Sequence, residues 1–344
     1  MPSRGVPRAA APPPAAGPVR VTRLRHALGA IVEPVMRAIL LWLSRRRFIG
    51  RFARWMPLSR PIVARFVAGE TLEGALPALE RLREAGFRTS VDILGEAVDS
   101  ASAARGAAGA YVAAIPYLEA HGLDINVSIK LSQMGLALGP ELVRENVARI
   151  LTAASAAGGF VRIDMEDHTT TDATLAVWRE LRPLMAGSGD VGVVLQSALR
   201  RTPKDAEDLI ATGARIRLCK GAYREPSTVA YPDKADVDAA YVTVMKRLLD
   251  DGTFPALATH DDRIVDQAIA YARERGIGPE RFEFQMLYGV RRDLQDRLLR
   301  DGWGVRVYVP TGSQWYPYFM RRLAERPANV VFLALSVIRE RRGR

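Results

Sequence analysis

The sequence predicts an α/β fold, a (β/α)8 TIM-type barrel, on three observations. From about residue 70 onward, eight short apolar runs alternate with stretches of helical periodicity. The alternating body approaches the ~250 residues typical of such a barrel. Seven of the eight runs are followed by polar or ionisable residues, where the catalytic groups of these barrels converge. A doubly wound sheet is the alternative. The Gly-rich turn it would carry after its first strand is absent, and eight runs fit it less well.

Residues 1–20 are rich in Pro, Ala and Arg and poor in large apolar groups. They cannot bury enough surface to offset ordering entropy, which predicts a disordered tail. Residues 21–85 read as a helical arm. Its apolar stretch HALGAIVEPVMRAILLWL (26–43) is broken by Glu33, Pro34 and Arg37, so it is too short and interrupted to span a membrane. SRRRFIG (44–50) superficially resembles a twin-arginine export signal, but no apolar run follows it. The arm either packs on the body or also touches an anionic membrane through its arginines and Ile39–Leu43. ETLEGALPALERLREAG, at the end of the arm, has helical spacing and a stop at Gly86.

Residues 86–344 form the predicted barrel. Its expected strands are Val91–Leu94, Ile125–Ile129, Phe160–Ile163, Val191–Leu195, Ile216–Leu218, Ala256–Ala258, Phe282–Phe284 and Val305–Val309. Helical patterns between them include Leu142–Ala156, Thr202–Thr212, Val237–Asp250, Asp262–Arg275 and Arg291–Asp301. The polar groups after the strands are Lys130, Asp164, Gln196, Lys220, Thr259 with His260, Gln285 and Tyr308.

Charge separates the arm from the body. The chain of 344 residues has 49 Lys+Arg and 38 Asp+Glu, net +11. Twelve Arg and one acid lie in residues 1–60, so the other 284 residues carry 37 of each sign. A neutral body lacks the wide basic footprint of a nucleic-acid binder and suits a small-molecule enzyme with a basic appendage. Cys219 is the only cysteine, which excludes an intramolecular disulfide and a cysteine-cluster metal site. The four histidines are scattered without an HxxxH pair, so no histidine zinc site is expected.

Lys130 and Lys220 could be Schiff-base lysines of an aldolase or lyase, or anion binders. In VRIDMEDH, Asp164, Glu166, Asp167 and His168 could hold Mg2+, but an ion pair from Asp164 to a nearby cation is the preferred reading. Arg321 and Arg322 are neighbours about 100° apart on the C-terminal helix. Together they can grip a carboxylate that lies over the helix between them, with Glu325 one turn on to hold them. That helix follows the eighth strand and is expected over the barrel mouth.

The motifs VSIKLSQMGL (127–136), VRIDMEDH (161–168), VVLQSALRRTPKDAEDL (193–209), RLCKGAYREP (217–226), ATHD (258–261), FEFQMLYGVR (282–291), VRVYVPTG (305–312) and WYPYFMRRLAERP (315–327) occur in this order. FVAGETLEGAL (66–76) extends the set upstream. In this combination the chain resembles the bacterial monofunctional proline dehydrogenases. The resemblance implies an FAD-binding barrel that oxidises L-proline to Δ1-pyrroline-5-carboxylate, the first step of proline catabolism. Hydride would pass from the proline ring to flavin N5, and electrons on to a membrane quinone. It implies substrate contacts from Lys130, Leu287, Tyr308, Arg321, Arg322 and Glu325, and catalytic roles for Asp164, Arg217 and Tyr308. Met165, Gln196, Arg217, Cys219, Lys220, Gly221, Thr259, His260 and Gln285 would line the FAD site, with no metal. Cys219 stands where Val is expected. The chain is too short for a fused aldehyde dehydrogenase, so a separate pyrroline-5-carboxylate dehydrogenase would take the product. The implied location is cytoplasmic, peripheral on the inner face of the membrane, with residues 20–60 against anionic lipid.

Overall fold

Eight parallel strands close into a barrel in sequence order: β1 (Arg88–Ile93), β2 (Asn126–Ile129), β3 (Phe160–Ile163), β4 (Asp190–Gln196), β5 (Ile216–Cys219), β6 (Ala256–Ala258), β7 (Glu283–Leu287) and β8 (Val305–Thr311). Pairing of β8 with β1, from Arg88 opposite Arg306 to Ile93 opposite Thr311, completes the closure. This computed structural model describes residues 63–95, 97–185 and 189–325, the last five as backbone. The chain divides into two compact units, residues 53–319 and residues 1–52 with 320–344. The barrel belongs to the first. The tail at 1–20 and the arm as far as residue 62 lie outside the described residues, as do the side chains of Arg321, Arg322 and Glu325.

Helix α1 (Leu72–Glu84) precedes β1. The strands are then linked by α2 (Ala101–Ala120), α3 (Pro140–Ala156), α4 (Thr171–Leu181), α5 (Thr202–Ile210), α6 (Lys234–Asp251), α7 (Asp262–Glu274) and α8 (Arg292–Arg300). Helix α9 (Trp315–Glu325) follows β8. Local chemistry sets several boundaries. Thr71 accepts from Gly74 N at 3.1 Å and Asp261 from Arg263 N at 3.2 Å, each satisfying an open N–H of a first turn. Pro140 starts α3, where a missing N–H costs nothing. Gly86, at φ +91°, turns the chain from α1 into β1.

The strands alternate in a way that determines the site. Val91, Val127, Val161, Val193, Leu218, Phe284 and Val307 join the apolar core shared with the helices. The residues between them face the barrel axis, and many are polar: Ser90, Asp92, Ser128, Arg162, Arg217, Glu283, Gln285 and Arg306 are all buried. Barrels of this type usually fill their interior with branched apolar residues. Here Arg217 on β5 bonds Ser128 on β2 and Gln285 on β7, which non-neighbouring strands can do only across the interior.

The polar interior also corrects the strand limits read from apolar runs. β1 begins three residues earlier than expected, β7 runs Glu283–Leu287 rather than Phe282–Phe284, and β8 extends to Thr311. Gln196, Gln285 and Tyr308 therefore lie within strands, not after them. An apolar run stops at the first inward polar residue, whereas the hydrogen-bonded ladder does not.

Candidate active site

Asp164 follows β3 and gathers side chains from three other strands. Its Oδ1 accepts from Arg217 at 2.6 Å and its Oδ2 from the Tyr308 hydroxyl at 2.8 Å. Lys130, just after β2, stands 3.8 Å from Oδ2 and donates to the Tyr308 oxygen at 3.3 Å. On its other side Lys130 donates to Asp92 Oδ1 at 2.7 Å. Two carboxylates and two cations thus form one balanced, largely buried array. Four residues expected in the site, Lys130, Asp164, Arg217 and Tyr308, meet here.

The array fixes protonation. Burial opposes the charge of Lys130, but Asp92 and Asp164 outweigh it and raise its pKa above that of an ordinary lysine. A Schiff-base lysine needs the neutral amine, so this site does not suit that chemistry. Burial, then Asp164 and Asp92, push Tyr308 well above the usual phenol range. Its hydroxyl stays protonated, accepting from Lys130 and donating to Asp164. The Arg217 guanidinium lies 5.2 Å from the Tyr308 ring centroid, so the cation also touches the ring face.

Arg217 is held by three acceptors on three elements. Nε donates to Gln285 Oε1 at 2.6 Å, one terminal nitrogen to Asp164, and the other to Ser128 Oγ at 3.0 Å. Tyr111 of α2 braces this region from outside, donating to the Ser128 carbonyl at 2.8 Å and accepting from Ile93 N at 3.1 Å.

The other expected residues occupy the neighbouring strand ends. Leu287 ends β7 opposite Tyr308 in the register. Its backbone N donates to His260 Nε2 at 2.9 Å, which makes that nitrogen an acceptor. Gln196 donates to the Glu166 carbonyl at 2.6 Å. Lys220 bridges Asp261 at 2.8 Å and Asp238 at 2.6 Å. Thr259 is buried and its hydroxyl accepts from Asp261 N at 3.2 Å. Met165 is buried in the core. Gly221 has φ +108°, and a Cβ there would lie 2.9 Å from Gln196 Oε1. Cys219 is half-buried, and burial pushes its thiol up to about 11.

The acids after Asp164 diverge. Glu166 accepts from Ser132 N and Oγ, Asp167 caps a short turn through Thr169 N, and His168 pairs with Glu225. Among the described residues no group of three His, Cys, Asp or Glu could share a metal. Asp164 forms the ion pair that was the preferred reading.

Three participants were not anticipated: Asp92, Ser128 and Glu283. Each had a signal, a polar residue at period two inside an apolar strand, as in SVDIL, VSIK and FEFQ.

A family model described as "Proline dehydrogenase" matches residues 75–334. A proline dehydrogenase of Deinococcus radiodurans is 41% identical over 312 residues, covering 90% of this chain and 100% of the relative. Proline dehydrogenase 2 of Bacillus subtilis is 39% identical over 299 residues, 87% of this chain and 97% of its own. Among solved structures, proline utilization A of Bdellovibrio bacteriovorus, inactivated by N-propargylglycine, aligns with TM-score 0.72 and 27% identity. The match covers 77% of this chain but only 32% of that longer one.

Proposed function

The chain belongs to the proline dehydrogenase family, and from this we propose that it oxidises L-proline to Δ1-pyrroline-5-carboxylate as an FAD-dependent oxidoreductase with a membrane quinone as electron acceptor. The observation that carries the reading is the junction at Asp164, where Arg217, Tyr308 and Lys130 meet at the barrel's strand ends.

The residues present fit a flavin nucleotide. Arg217 and Lys220 put two cations at the end of one strand, Gln196 adds a carboxamide, and Gly221 keeps the backbone free of a side chain beside it. When bound, the flavin supplies the acceptor for hydride from the proline ring carbon. Met165, Cys219, Thr259, His260 and Gln285 complete the proposed cofactor lining.

The protein's own part is binding, orientation and charge. Lys130 holds the proline carboxylate, a task that the family resemblance also assigns to Arg321 and Arg322, with Glu325 to steady them. Tyr308 and Leu287 pack against the pyrrolidine ring and so orient its carbon. Hydride leaves an amine carbon readily only when the nitrogen lone pair is free. Cations that grip the carboxylate also disfavour the ammonium form, which promotes that state. Arg217 places positive charge where reduction brings negative charge. The product then passes to a separate pyrroline-5-carboxylate dehydrogenase.

The test is the visible spectrum of the purified protein. It is expected to be yellow, to bleach anaerobically on addition of L-proline, and to regain colour with a quinone analogue. A colourless protein that borohydride traps on a carbonyl substrate would sink the proposal in favour of a lysine-based lyase.

A further inference from the structure

We propose that Glu283 is a positioning residue for the flavin site, acting on Arg217 through the carboxamide of Gln285. This rests on the flavin reading above. Glu283 and Gln285 lie two apart on β7 and so share its inward face. They are 2% and 4% exposed. Gln285 Nε2 donates to Glu283 Oε1 at 2.6 Å, while its Oε1 accepts from Arg217 Nε at 2.6 Å.

The chemistry permits one orientation. An ionised carboxylate only accepts, so it demands the NH2 end of the amide. A guanidinium only donates, so it demands the carbonyl end. Inverting the amide would set acceptor against acceptor on one side and donor against donor on the other, both buried and both left unsatisfied, which is costly. Gln285 therefore passes the polarity of Glu283 on to Arg217. Glu283 is itself anchored from below: Arg306 Nε donates to its Oε1 at 2.8 Å, and Arg88 reaches Oε2 at 3.2 Å. Burial opposes its charge, but these arginines outweigh burial and hold its pKa below the ordinary glutamate value. The anionic state on which the relay depends is thus the stable one.

Without this relay Arg217 keeps Asp164 and Ser128 but loses the acceptor on its Nε edge. The guanidinium can then swing, and positive charge at the redox centre becomes less preorganised.

The decisive variants are Gln285→Met and Glu283→Gln, each purified with flavin and compared with wild type. Gln285→Met leaves the Glu283–Arg306 pair in place and removes the relay together with Gln285's own place in the cofactor lining, so flavin content is measured for each preparation. Both variants are expected to lower kcat for proline about tenfold with KM changed less than about twofold. Gln285→Met should shift the midpoint potential of the bound flavin in the negative direction, by about 30 mV for a tenfold loss of two-electron stabilisation, whereas Glu283→Gln also removes a buried negative charge that pushes the potential the other way, so its readout is kcat. The double variant should lower kcat no further than the single variants, because the two residues act in series. A Gln285→Met protein with wild-type potential and kcat overturns the proposal, whether or not Glu283→Gln folds. A double variant whose kcat loss is the product of the two single losses also overturns it. If wild type itself is not bleached by proline, the flavin reading fails and this proposal with it.

Discussion

Asp164 has two donors and a third, more distant cation, and each sets a different property of the site. Arg217 neutralises its charge at 2.6 Å, Tyr308 is oriented by it at 2.8 Å, and Lys130 at 3.8 Å is left shared with Asp92. Sharing matters because a buried cation paired too tightly would have nothing left for a ligand, and one left unpaired would be costly to hold. Cys219 stands next to this charged array yet is chemically quiet. Burial raises its thiol to about 11, outweighing the opposing pull of Arg217. A raised thiol pKa means the protonated form, so at pH 8 only ~0.1% is thiolate and nucleophilic. Iodoacetamide at pH 8 is therefore expected to alkylate the native protein at least about tenfold more slowly than the urea-unfolded chain. Equal rates would show that the thiol does not sit in this buried setting.

At the scale of the element, the strands carry two messages at once. Their outward residues are apolar and bind the helices; their inward residues are polar and build the site. Gly192 on β4 shows how little room separates the two. A Cβ there would come 2.5 Å from the Arg215 carbonyl and press on the Arg162 guanidinium. Arg162 is buried and donates to the carbonyls of Val193 and Arg215, with its guanidinium 4.6 Å from the Phe160 ring centroid. Gly192→Ala should thus destabilise by about 1–3 kcal/mol, seen as a lower urea midpoint at unchanged slope. A wild-type midpoint would mean that β4 and β5 can part without cost. The same double message explains what the sequence revealed. Eight apolar runs were enough for the barrel, because outward burial is what periodicity reports. Lys130 and Asp164 were legible as polar residues directly after such runs. Tyr308 and Gln285 were legible by type but misplaced by register, since inward polar residues read as strand ends. Asp92 and Glu283 stayed hidden because a single acid inside an apolar run does not say which way it faces. Asp92 finds Lys130 after β2, Glu283 finds Arg306 on β8, and ring closure adds only Arg88 from β1.

For the molecule as a whole, the distribution of charge remains to be accounted for. The site array balances its two cations with two carboxylates, and the 284 residues after residue 60 are neutral, yet the chain is +11. No helix among the described residues is long and apolar enough to cross a membrane. If electrons go to a quinone in the bilayer, as proposed, the enzyme has to reach that bilayer. The proposal is that twelve arginines against one acid in residues 1–60 provide the means, since each basic residue near an anionic surface is worth about 1 kcal/mol and the attraction is screened by salt. Replacing Arg45, Arg46 and Arg47 by Ala should weaken co-sedimentation with anionic vesicles about tenfold or more at low salt, with little effect on neutral vesicles. Reduction of a soluble dye by proline should be unchanged, because the barrel is untouched, while reduction of a quinone embedded in anionic vesicles should fall. The wild-type advantage should vanish near 1 M salt, where the screening length is about 3 Å. Undiminished vesicle binding by the triple variant would remove these arginines from membrane docking and leave the charge of the arm without that role.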